Sequence, residues 1–128
     1  MNQKVSRQGH DEETWSRFAE TVFYHKSEFQ DTEGYQALAS FLLDLEKSSG
    51  AKRNRLFYLA SAPECFDEIL TKQRDSGLND PREGGWSRAV VEKPFGTDLP
   101  SAQKLNNIVN ETFQEADTYR IDHYLGKE

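Results

Sequence analysis

Apolar residues in this chain fall into short blocks, and their spacing changes from one block to the next. Glu12–Glu20 puts Trp15, Phe18 and Ala19 on one side and predicts a short helix. Thr21–His25 is expected to form a brief strand, and 27–32 a loop. Tyr35, Leu38, Leu42 and Leu45 recur at helical spacing, with Phe41 beside them, and predict a helix from Gly34 to about Lys47. Ser48-Ser49-Gly50 stops it. Arg55–Ala60 is an apolar run of strand length and predicts a buried strand. Pro63 suits the first turn of the following helix, which carries Phe66, Ile69 and Leu70 inward. Asp75–Gly85 is a hydrophilic loop, and Arg88–Glu92 a second buried strand. A helix from about Leu99 to Gln114, capped by Thr97 or Asp98, packs through Ala102, Leu105, Val109, Thr112 and Phe113. Thr118–Ile121 predicts a third strand.

The alternation strand–helix–strand–helix–strand implies right-handed crossovers and a parallel sheet, hence an α/β fold. Ligands of such sheets bind beyond the carboxyl ends of the strands. Ala60-Ser61-Ala62, Lys93-Pro94 and Asp122-His123 each follow a predicted strand, so topology alone gathers them on one rim.

Composition narrows the possibilities. The 128 residues suffice for one modest domain, and 35% hydrophobic against 30% charged residues suggests a core completed by neighbours. A net charge of −6 argues against nucleic acid, which calls for a basic face, so any phosphate site must be local. No run approaches the roughly 18 apolar residues of a membrane span. Residues 1–10 are polar, are expected to be disordered, and lack the apolar stretch of a secretory signal. Cys65 has no second cysteine to pair with, which fits a reducing compartment and makes cytoplasm the default. His10 and His25 are distant from His123, and no clustered pattern points to a metal.

The richest chemistry lies in Arg120-Ile121-Asp122-His123-Tyr124-Leu125-Gly126-Lys127-Glu128. A helix starting near Asp122 would put His123 and Lys127 on one face, with Tyr124 beside them, close to N–H groups that favour an anion. A phosphate suits this set, because charge-assisted donors hold it best. The plainer readings are a solvated helix face for the trio, a helix N-cap for Asp122 and a surface ion pair for Arg120. Lys93 precedes Pro94, which favours an extended backbone and projects the lysine off the strand end. Its alternative is a surface cation paired with Glu92 or Asp98. Ala60, Ser61, Ala62 and Pro63 are either a turn small enough for a flat cofactor to approach or simply a tight connection. Cys65, Trp15 and Trp86 are expected to be packing residues.

Three ordered blocks carry a resemblance: Asn54–Ala60, Val90–Leu99 with its Glu-Lys-Pro-Phe-Gly core, and the nine residues from Arg120. They resemble the glucose-6-phosphate dehydrogenase family. The resemblance implies a partial Rossmann-like coenzyme domain over 11–128. It implies hydride transfer from C1 of glucose 6-phosphate to NADP, giving 6-phosphogluconolactone in the pentose phosphate pathway of glucose metabolism. In that family the carboxylate at Asp122 orients the general-base histidine. His123, Tyr124 and Lys127 clamp the sugar phosphate. Lys93 meets both substrate and nicotinamide, and Ala60–Pro63 lies beside the dinucleotide. The 128 residues contain no G-x-G-x-x-G-like turn, no downstream base histidine and no second (α+β) substrate domain. The chain therefore reads as an internal piece of the enzyme, expected to be inactive alone. The alternative is a non-catalytic sugar-phosphate-binding or interaction remnant that associates with the full-length enzyme.

Overall fold

The computed structural model describes residues 11–81, 84–93 and 95–121. Four helices, α1 (Glu12–Ala19), α2 (Thr32–Ser49), α3 (Phe66–Asp75) and α4 (Leu99–Thr112), accompany three strands, β1 (Arg55–Leu59), β2 (Ser87–Glu92) and β3 (Thr118–Ile121). Single 3-10 turns, Pro63–Cys65 and Glu115–Asp117, lead into α3 and β3. The expected order holds from α2 onward.

The sheet is wholly parallel, in the order β1-β2-β3. Leu59 pairs with Val91, and Val91 with Arg120, so the three strands end nearly level. Helices α3 and α4 cover one face. Leu59, Ala89 and Val91 meet Phe66, Ile69, Leu70, Leu105, Val109 and Phe113 there in a single core. Leu70 is fully shielded from solvent, and Phe66 almost so. Burying a side chain of this size contributes about 1.5–3 kcal/mol.

The other face departs from expectation. Leu56 and Tyr58 of β1 are 57% and 51% exposed, so this strand is buried on one side rather than both. Two successive crossovers of the same hand place both connecting helices on the same side of the sheet. No described element covers the opposite side. Val90 of the central strand also faces that way but is buried, sheltered by its register neighbours Tyr58 and Tyr119.

The N-terminal arm also differs. Thr21–His25 forms no strand. The amides of Thr21 and Val22 bond back to Phe18 O and Ala19 O, at 2.9 and 3.1 Å, and close α1 instead of joining a ladder. The segment then rests on α2: Phe23 packs edge-on against Phe41, His25 stacks on the same ring, and His25 Nε2 lies 3.1 Å from Gly34 O. Trp15 packs beside Phe18, as a packing residue would, but remains half exposed. Helix α2 begins at Thr32 rather than Gly34 and ends where Gly50 turns left-handed, φ 67°. Helix α4 stops at Thr112, with Phe113 extended and turned into the core. Leu78, inside the loop expected to be hydrophilic, is almost fully buried.

Candidate functional site

Two described turns build the carboxyl rim, one after β2 and one after β1. After β2, the Lys93 N–H donates to Ile121 O at 3.3 Å, carrying the β2–β3 ladder one step past the end of β2. Lys93 and the residue that precedes Asp122 are thereby held side by side. After β1, Ala60 N–H bonds to Tyr58 O at 3.1 Å and turns the chain toward Pro63. Ala60 and Ala62 are exposed. Ser61 Oγ is buried without a hydrogen-bond partner. Asp122, His123, Tyr124 and Lys127, like Pro94, lie outside the described residues.

The loop from Phe95 into α4 is locked by its own side chains. Ser101 Oγ accepts from Thr97 N–H at 3.0 Å and Asp98 N–H at 3.1 Å, while Asp98 Oδ1 accepts from Ser101 N–H at 2.9 Å. This is a capping box. The Ser101 hydroxyl, then its N–H, holds the Asp98 carboxyl below the usual range. In the first turn the Ser101 amide is thus already engaged and Pro100 has no N–H, which leaves little to attract an anion at this helix start. Gly96 makes the turn possible. Its φ is 126°, and a Cβ there would sit 2.6 Å from Ser101 Oγ and 2.7 Å from Ala102 N.

Two clefts flank the rim on the helix side. One, of about 400 Å³, lies between the Pro63 turn and α4 and includes Glu64, Asp67 and Lys104 in its wall. Two carboxylates against one ammonium make it a poor host for phosphate. The other, of about 310 Å³, is lined by Val91, Phe95, Leu105, Asn106, Val109 and Arg120. Arg120 spans it as the ion pair anticipated in the plainer reading. Its Nη1 and Nη2 donate to Glu115 Oε1 and Oε2 at 2.7 and 3.1 Å, and Nη2 also donates to Asn106 Oδ1. The bond from Arg120 is the main reason the Glu115 carboxyl is held below its ordinary range. On the open face Tyr58 donates to Glu92, and chiefly that bond raises the phenol's pKa.

A nicotinamide dinucleotide fits this rim in part. Ala60 and Ala62 are small and exposed, so the backbone there is open to the approach of a flat ring, whereas the orphaned Ser61 hydroxyl is buried. The pyrophosphate finds no cradle among the described residues, because α4 caps itself and α3 opens with Asp67 and Glu68. Among the described residues no group of His, Cys, Asp or Glu could hold a metal, and no helix is long and apolar enough to cross a membrane.

Parallel strands joined by helical crossovers, with the turns after β1 and β2 on one carboxyl rim, define an α/β unit of the Rossmann-like class. The chain belongs to the family described as "Glucose-6-phosphate dehydrogenase, NAD binding domain", whose model matches residues 1–128. The glucose-6-phosphate 1-dehydrogenase of Chlamydia pneumoniae is 45% identical over 121 residues, covering 92% of this chain and 24% of that relative. A solved glucose-6-phosphate dehydrogenase in complex with its substrate glucose 6-phosphate superposes with a TM-score of 0.80 at 37% identity, over 94% of this chain and 25% of its own. The Mycobacterium avium enzyme does so with a TM-score of 0.71 at 31% identity, over 96% and 24%. The chain thus spans about a quarter of the length of the curated relatives it matches.

Proposed function

We propose that this chain carries the later half of the coenzyme domain, and the first edge of the sugar-phosphate site, of an NADP-dependent glucose-6-phosphate dehydrogenase of the cytoplasm. The reaction served moves hydride from C1 of glucose 6-phosphate to the nicotinamide and yields 6-phosphogluconolactone. Its supporting observation is the 3.3 Å bond from Lys93 N–H to Ile121 O, which aligns the lysine turn with the entry to Asp122-His123-Tyr124. In this reading His123, Tyr124 and Lys127 hold the sugar's phosphate, and Lys93 reaches the reacting hydroxyl from the neighbouring strand. Asp122 orients a base that this sequence does not supply. Ala60, Ser61, Ala62 and Pro63 line the nicotinamide side of the dinucleotide. Positioning of this kind accounts for a large part of such rates, but without base or pyrophosphate turn the 128-residue chain does not turn over.

The test is a titration of the labelled chain with glucose 6-phosphate, followed by NMR, beside an assay for reduced nicotinamide. Shifts at Lys93, His123, Tyr124 and Lys127, lost in Lys127→Ala, are expected, with no NADP reduction. Turnover by the purified chain would refute the inactivity, and an unshifted spectrum would refute the clamp. A second reading, a non-catalytic partner of the full-length enzyme, draws on the exposed Leu56, Tyr58 and Tyr119 of the open sheet face. Co-purification with a complete family member would favour it.

A further inference from the structure

We propose that Arg120 is a positioning residue: its guanidinium ties the end of β3 to α4 and the Glu115 turn, and thereby aligns the Ile121 carbonyl with the Lys93 turn. This deepens the reading above and rests on it for its functional meaning.

Arg120 occupies the strand position beside Val91, on the face that packs against the helices. An arginine there is unexpected, since its row partners Leu59 and Val91 are buried and apolar. Its side chain helps line the 310 Å³ cleft with Phe95, Leu105 and Val109, an apolar wall that suits the methylene stem. The planar head then makes three bonds to two elements: two parallel ones to the Glu115 carboxylate and one to Asn106 Oδ1 in mid-α4. Glu115 belongs to the turn that launches β3, and α4 is the helix that follows the Lys93 loop. One guanidinium therefore joins the strand leading to Asp122 with the helix that anchors the lysine turn. A backbone bond between those arms runs from Lys93 N–H to Ile121 O, at 3.3 Å, one residue beyond Arg120.

A direct phosphate-binding role fits this arrangement less well, because the head is committed to a carboxylate and an amide oxygen. The geometry also demands arginine rather than lysine. A lysine keeps the charge but cannot present two parallel N–H groups to Glu115 and a third bond to Asn106.

Amide hydrogen exchange measured by NMR on the whole chain tests this. In Arg120→Lys the Lys93 amide is expected to exchange roughly threefold to tenfold faster while the Leu70 amide in the core keeps its rate, the pattern of local rather than global opening. Glu115→Gln and Asn106→Ala, both at exposed positions, should produce the same selective change and serve if Arg120→Lys folds poorly. An unchanged Lys93 rate, or equal acceleration at Lys93 and Leu70, overturns the proposal. A parallel glucose 6-phosphate titration separates it from the functional reading. If the wild-type chain binds, Arg120→Lys should weaken binding by about twofold to fivefold, the range a solvent-facing ion pair can carry; equal affinity overturns the positioning role. If the wild-type chain does not bind, the functional reading falls, and the exchange rates still decide whether Arg120 aligns the two arms.

Discussion

The two faces of the sheet are written in the same alphabet and live in different surroundings. Phe57, Leu59, Ala89 and Val91 point toward α3 and α4, while Leu56, Tyr58, Val90 and Tyr119 point away. Both sets are apolar or aromatic, although Arg88 and Glu92 share the open face, yet Leu59 is 7% exposed and Leu56 57%. Side-chain type records a preference for burial. The path of the crossovers decides which face obtains it among the described elements. The exposed Leu56, Tyr58 and Tyr119 make this face suited to contact with further protein.

The contrast can be broken most forcefully by truncation. Leu70→Ala should cost about 2–5 kcal/mol, because transfer energy and a cavity penalty add. Leu56→Ser on the open face should stay within about 0.5 kcal/mol. Urea midpoints of the two variants measure the difference. A large loss from Leu56→Ser would show that the open face is covered in solution.

The rim is sharpened by Gly96→Ala. At φ 126° alanine is strained, and its methyl group would press on Ser101 Oγ and Ala102 N. A loss of about 1–3 kcal/mol is expected, read as a lowered melting temperature. A neutral outcome would mean that the turn relaxes and does not depend on this approach.

The smallest effect concerns pH. Arg120 depresses the folded-state pKa of Glu115 below its unfolded value. Such a group contributes stability that is fully present above the unfolded carboxylate pKa, about 4.3, and is lost as pH falls through the lower, folded-state value. Acid unfolding of Glu115→Gln should lack that component, so the gap between wild type and variant should narrow as pH falls. A gap that stays constant through the acid range would show that the ion pair does not influence folding.

Much of the fold was legible. Helical spacing of Leu38, Leu42 and Leu45 located α2, and the pattern around Leu105 and Val109 located α4. Polar Thr97 and Asp98 ahead of the helical pattern both offered a cap, and Asp98 supplies it. The apolar run Arg55–Ala60 predicts a strand, which forms over Arg55–Leu59, but it also suggests burial on both sides, because its residues are apolar on both faces. Thr21–His25 misled for a related reason: β-prone residues make a strand only where a ladder partner exists, and Phe41 of α2 claimed this segment first. Leu78 was missed because one apolar residue among Asp, Asn, Gly and Pro carries no period.

The candidate site divides in the same way. Chain order placed Lys93 and Ala60–Pro63 at strand ends, since a parallel sheet delivers every βα turn to one rim. The partnership of Arg120 with Glu115 and Asn106 left no trace in local pattern. Five and fourteen residues separate these side chains from Arg120, and only the packing of β3 beside α4 brings them within bonding distance. What the amino-acid sequence determined alone was whatever short-range sterics and hydrophobic period can express: helices, strands, caps and the parallel order. Which face is covered, which polar groups meet, and how Lys93 lies against Ile121 were decided by tertiary structure, because those contacts depend on where distant segments end up in space.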